Sequence, residues 1–109
     1  MTRIGPVAIA VTLATQVQAQ FIPPEEFDRP YDGRVFYQLA RDQDHVREMC
    51  KAAFNTGRAP GCSRVIMDVC VIVKLSNADI RALGIDPEVF LRHEVGHCNG
   101  WGPDHKGAR

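Results

Sequence analysis

Four cysteines, at positions 50, 62, 70 and 98, constrain the fold of this 109-residue chain more than any other feature. They contain no C-x-x-C pair, which speaks against a zinc ribbon or a thioredoxin-type redox site. A domain this small has only a modest core, and covalent staples are a common answer to that shortage. Two disulfides are therefore expected. Of the three possible connectivities, Cys50–Cys62 with Cys70–Cys98 is preferred, because the first closes a loop around residues 55–61 and the second ties a strand to the last helix. Sequence alone does not select it.

Disulfides imply an oxidising compartment, and the N-terminus agrees. Met1 to Arg3 carry one positive charge, and Ile4 to Thr15 form a mostly apolar stretch without a charged side chain. That stretch is too short to span a bilayer. Val17 and Ala19 then place small residues before a cleavage point after Ala19. Residues 1–19 read as a signal peptide and 20–109 as one exported domain, periplasmic or secreted, with no stable membrane insertion once the signal is gone. The competing reading, a buried N-terminal strand or helix, is weakened for a long helix by Gly5 and Pro6. Thirteen Lys and Arg balance thirteen Asp and Glu, and 45% of residues are hydrophobic. Such a chain is not disordered, and without a basic block it offers no footprint for nucleic acid or an anionic membrane.

Along the mature chain, residues 21–33 hold three prolines and a glycine and read as an irregular arm. Arg34 to Ala40 fits a strand or the first turns of a helix, and a helix is favoured. Asp42 to Phe54 has Val46, Met49, Cys50 and Ala53 at helical spacing, acids at its start, and Asn55-Thr56-Gly57 as a stop. Arg58 to Ser63 reads as a turn-rich linker. The β-branched run from Val65 to Leu75 then predicts one or two strands. Ser76 or Asn77 caps a short helix through Leu83. Asp86-Pro87-Glu88 starts a longer one, which runs to about Cys98 and is ended by Asn99-Gly100.

That last helix contains His93-Glu94-Val95-Gly96-His97, an H-E-x-x-H pattern. Positions four apart in a helix lie about 40° from each other around its axis, so both imidazoles face one way and can grip one metal ion. Glu94 sits beside that face, where a carboxylate can take a proton from an attacking water. Leu91, Val95 and Cys98 supply an apolar back to pack on a sheet. Zn²⁺ suits such ligands. The plainer alternatives are a solvated helix face for the histidines and an intrahelical ion pair for Glu94. His45 lacks companions at ligand spacing and reads as a surface residue, and Trp101 as an apolar plug. Tyr37 is expected in the core. Tyr31 is a minor candidate for stabilising an oxyanion.

The segment from Arg92 to His105 resembles the zincin metallopeptidases, and His93, Glu94, His97 and Gly100 match the metzincin pattern H-E-x-x-H-x-x-G-x-x-H. The third histidine of that pattern falls on Pro103, which binds no metal, while Asp104 and His105 follow. A slightly longer turn through Gly100 to Pro103 would return His105 to the metal, with Asp104 as second choice. The tail also looks like that of small exported bacterial proteins. The resemblance implies a minimal zincin-like α+β domain, with a short sheet packed on the H-E-x-x-H helix and Val71 to Lys74 as the edge strand along which an extended substrate pairs. It further implies hydrolysis of a peptide or protein substrate, with Zn²⁺ on His93, His97 and His105 and Glu94 as general base. Two rivals stay open. One is an exported interaction module held together by zinc with Asp104 as fourth ligand; the other is a metal-free, disulfide-stapled binding protein.

Overall fold

The structure, a computed structural model, describes residues 21–51 and 59–109. The expected signal at 1–19 lies outside the described residues, as does the end of the helix expected to reach Phe54. The elements in chain order are β1 (Arg34–Leu39), α1 (Gln43–Cys50), β2 (Gly61–Ile66), β3 (Val69–Lys74), α2 (Asn77–Ala82) and α3 (Pro87–Cys98). The fold is α+β. Its sheet has the order β1-β3-β2, with β1 parallel and β2 antiparallel to β3.

Each helix begins as the sequence dictates. Asp42 accepts from the His45 amide, Ser76 from the Asp79 amide and Asp86 from the Glu88 amide, so each start has a side-chain acceptor for an orphan donor. Gly84 and Gly100, at φ +83° and +113°, turn the chain out of α2 and α3. The hairpin between β2 and β3 closes through Met67 and Asp68 alone, with Ile66 opposite Val69. Both central residues have positive φ, 49° and 68°, which is the requirement of a two-residue turn matched to strand twist.

The register sorts the sheet into two faces. Tyr37, Ile72 and Ser63 form one cross-strand row, and Val35, Cys70 and Val65 another on the same face, over which α3 packs against β2 and β3. The alternate row of Gln38, Val73 and Cys62 faces the other way and is tied to α1. Phe90, Ile72, Ile80, Val46, Cys50 and Cys70 are the fully buried side chains of the core. Two disulfides, Cys50–Cys62 and Cys70–Cys98, cross-link it, in the preferred connectivity.

Several expectations are corrected. Arg34 to Leu39 is a strand rather than the start of a helix, because its backbone pairs with β3 and tertiary pairing overrides an ambiguous local pattern. The supposed linker at Arg58 to Ser63 already contains the first residues of β2. Val71 to Lys74 is not an edge: β3 is central, and the edges are β1 and β2. Tyr37 is half-exposed rather than buried, since among the described residues nothing covers β1 on that row. Among the described residues no helix is long and apolar enough to cross a membrane.

Candidate metal centre

His93 and His97 project from one side of α3, one turn apart, and Gly100 then reverses the chain. The Trp101 amide donates back to the Gly96 carbonyl, and the His105 amide to Gly102, so the tail curls over the helix end. His105 arrives with φ +57°. The turn is long enough to bring it to the two helical histidines, as expected, and Pro103 is simply passed over. One ring nitrogen from each of His93, His97 and His105 lies within 4.8 Å of the others, a grouping that can hold a metal ion. His97 is the middle member, its Nε2 3.2 Å from that of His93 and 3.1 Å from that of His105.

The opposite ring nitrogens set the tautomers. His93 Nδ1 lies 2.9 Å from the Phe21 carbonyl oxygen and His97 Nδ1 lies 2.8 Å from that of Trp101. A carbonyl only accepts, so each Nδ1 carries the proton and each neutral ring presents a bare Nε2 lone pair to the centre. Burial holds both rings neutral. It drives His93 down to about 4, the proximity of His97 and His105 adding to the effect and the Phe21 carbonyl opposing it. His97 is lowered for the same reason, with the Trp101 carbonyl opposing. Lone pairs facing each other at 3.2 Å repel, and a cation between them removes the conflict. The donor set thus fits a metal of imidazole preference.

Aromatic packing fixes the rings. Phe21 stacks on His93 with centroids 4.0 Å apart, and Trp101 stacks on His97 at 4.8 Å. Trp101 is buried, as expected of a plug, and its indole N–H donates to the Lys106 carbonyl. The arm runs across α3 at Gly96, where a Cβ would stand 2.6 Å from Pro23 Cγ. It is clasped there by the tail: Ile22 and Arg109 exchange two backbone hydrogen bonds, and Arg109 Nε donates to the Pro23 carbonyl. Asp28 then accepts from both Arg92 and Arg109.

Glu94 is 5% exposed and packs toward the sheet. Ser63 Oγ, on β2, lies 2.7 Å from Glu94 Oε1 and 2.9 Å from its main-chain carbonyl. The Ser63 hydroxyl is the donor in both contacts and has one proton to divide between the two oxygens. Burial pushes Glu94 up to about 7, and the hydrogen bond from Ser63 opposes it.

The remaining sequence candidates sort as follows. Asp104 is exposed, bonds the Lys106 amide, and is outside the histidine group. His45 accepts from the Arg41 amide and also stands apart. Tyr31 spends its hydroxyl on the Asp68 carbonyl of the hairpin. The histidine side of α3 is not a free face, since the arm and tail cover it. Its deepest apolar anchor is Phe90, while Leu91 and Val95 are only partly buried. Sequence reasoning missed Phe21, whose main-chain oxygen orients His93, and Ser63, which holds Glu94. Neither carries a motif.

The chain matches no protein-family model, no curated protein sequence and no solved structure.

Proposed function

We propose that the protein is an exported zinc-dependent peptide hydrolase, with Zn²⁺ on His93, His97 and His105 and Glu94 as general base. The observation that supports it most is the convergence of three Nε2 atoms, two of them forced by carbonyl partners to be lone-pair donors. Two of their three spacings, 3.1 and 3.2 Å, lie close to the ligand edge of roughly 3.3 Å implied by tetrahedral Zn–N bonds of about 2.0–2.1 Å, and all three lie within 4.8 Å. Three protein ligands leave a fourth position for substrate, and the exposure of His105 leaves that side approachable. Zinc held there supplies Lewis-acid polarisation of a scissile carbonyl and acidifies water.

The chain's own groups do the rest. The Phe21 and Trp101 carbonyls keep the ligand rings in the donating tautomer and orientation. Glu94, near neutrality through burial, is matched to taking a proton from the attacking water at physiological pH and passing it to the leaving amine. Two disulfides agree with the oxidising compartment that export implies.

The test combines metal analysis of untagged protein with peptide cleavage. Zinc stoichiometry near one is expected, and Glu94→Gln should lower turnover by about 10²–10⁴-fold while keeping its zinc. Loss of zinc along with activity would move Glu94 out of the proposed role. A second reading, in which zinc only holds the domain together, draws on the burial of Glu94 and its bond to Ser63. It predicts that zinc removal unfolds the domain and that no peptide is cut.

A further inference from the structure

The carbonyls that orient the two helical histidines are held with unequal security. The partner of His97 is local: Trp101 follows in the turn after α3, and its own amide is fixed on the Gly96 carbonyl. The partner of His93 is the Phe21 carbonyl, 72 positions away on an arm that forms no helix or strand before Arg34. Neither disulfide reaches that arm. A hydrogen bond fixes a ring only as firmly as its partner is fixed, so the aim of His93 depends on what holds Phe21.

The arm does not hold itself there. Pro23 and Pro24 have no amide proton, and the turns that follow, Phe27 on Pro24 and Asp28 on Glu25, are internal to the arm. Its anchors to α3 and the cap lie beyond both prolines: Asp28 on Arg92, and the Asn99 side chain on the Phe27 and Arg29 carbonyls. Ahead of them, among the described residues, the main chain of Ile22 and Pro23 bonds to one residue. The Ile22 amide donates to the Arg109 carbonyl at 3.2 Å, the Arg109 amide to the Ile22 carbonyl at 2.7 Å, and Arg109 Nε to the Pro23 carbonyl at 2.8 Å. Arg109 is itself carried by the turn of the third histidine, since the Ala108 amide donates to the His105 carbonyl. Stacking of the Phe21 ring on His93 brings the arm close, but the direction of its carbonyl follows the peptide units that Arg109 clamps.

We infer that Arg109 is a positioning residue of the metal centre: by clamping Ile22 and Pro23 it aims the Phe21 carbonyl at His93 Nδ1 and keeps that ring in the tautomer that presents a bare Nε2. Without the clamp His93 divides between its two neutral tautomers, and the form protonated on Nε2 turns an N–H toward the centre, where it binds no metal. The aim of the ring belongs to the protein without metal; only its effect on affinity rests on the proposed zinc site.

Two variants grade the effect. Arg109→Ala removes the guanidinium, and Arg109→Pro removes the amide proton as well. Long-range ¹H–¹⁵N correlation on the metal-free protein reads each ring's tautomer. Both His93 and His97 should be protonated on Nδ1 in the wild type. His93 should become a mixture in Arg109→Ala and more so in Arg109→Pro, with His97 unchanged, and zinc competition against a chelator should show binding roughly 10-fold weaker in Arg109→Ala. Ser76→Ala, which loses the cap of α2 and so lowers stability without touching the arm, should alter neither ring. Circular dichroism checks the fold, and should Arg109→Pro fail to fold, Arg109→Ala decides. A His93 that stays wholly protonated on Nδ1 overturns the inference, as does a mixture that extends equally to His97 or appears in Ser76→Ala. Absence of zinc binding in the wild type would overturn the metal reading and leave the tautomers, on which the role of Arg109 stands or falls.

Discussion

The histidine side of α3 and the outer edge of β1 depart from ordinary burial in opposite directions. On α3, ionisable groups go inside: His93 and Glu94 are each 5% exposed and are the buried charged or polar side chains among the described residues. On β1, Phe36, Tyr37 and Leu39 go outside. Buried polar groups and exposed apolar runs are the two informative exceptions to the inside-outside rule. They differ in what stabilises them. The first region is satisfied within the chain, with both Nδ1 atoms on carbonyls, Glu94 on Ser63, and, among the described residues, no buried side-chain polar atom left without a partner. The second pairs with β3 on one side and, among the described residues, with nothing on the other. One region groups three histidines that could hold an ion; the other leaves apolar side chains on a strand that no described residue pairs with on its outer side.

The largest effect that would break this contrast is His97→Ala. His97 places its Nε2 3.2 Å from that of His93 and 3.1 Å from that of His105. Losing an oriented supporting group costs about 10–100-fold in metal affinity, so removing this ligand should cost more and bring bound metal from near one per chain to below detection. Elemental analysis after dialysis reads it. Tyr37→Ala, on the other region, should leave the stoichiometry unchanged. Metal retained in His97→Ala at the wild-type level would detach the histidine cluster from metal binding.

A smaller effect tests how the polar region is covered. Gly96 lies where the arm crosses α3, and a methyl group there meets Pro23 Cγ at 2.6 Å and Cβ at 3.0 Å. A proline ring cannot swing aside, so Gly96→Ala should lift the arm and cost about 1–3 kcal/mol, typical of overpacking. The gain of alanine over glycine in a helix is at most about 1 kcal/mol and does not offset it. Lifting the arm also withdraws the Phe21 carbonyl from His93, so metal affinity should fall with the melting temperature. Unchanged values of both would show that the arm does not set the ligand geometry.

How far each region was legible follows from where its signals lie. The α3 region is written in adjacent residues: Asp86-Pro87 starts the helix, four-residue spacing aligns His93 with His97, and Gly100 turns the tail so that His105 returns. Those signals are local, and the elements follow them. Its supports are not local. Phe21 acts through a main-chain oxygen 72 positions away from His93, and Ser63 through a strand that the sequence reads as linker. The sheet was harder. RVFYQL fits either period over six residues, and only pairing with β3 decides it. The hairpin turn uses Met67-Asp68 where Asn-Gly or Asp-Gly is the usual signal, so the run from Val65 to Leu75 shows no break. Only the zincin resemblance makes Val71 to Lys74 an edge; pairing with β1 on one side and β2 on the other makes it central. The disulfides were legible because a loop of this size and a strand-to-helix tie both suit small domains.

The smallest expected effect concerns the clasp between arm and tail, which the α3 region needs and the β1 region does not. Asp28 accepts from Arg92 and Arg109, and the Arg92 hydrogen bonds chiefly hold its carboxyl below the ordinary range, with Arg109 assisting and burial opposing. A carboxyl depressed in the folded state adds stability that is fully present above its unfolded pKa of about 3.9 and is lost as pH falls through the lower folded value. Both arginines are about half exposed, at 48% and 47%, so solvent screening limits the contribution to about 0.2–1 kcal/mol. Acid unfolding has a second source: His93, held neutral down to about 4, loses stability between the usual histidine range near 6.5 and that value. The two separate by subtraction. Asp28→Asn should melt slightly lower than wild type at pH 7, and the difference should close below pH 4, because the wild-type carboxyl is then losing its charge. The histidine-driven decline between pH 6.5 and 4 should be common to both proteins. A difference that stays constant down to pH 2 would mean that Asp28 holds the arm by its shape and hydrogen bonds rather than by its charge.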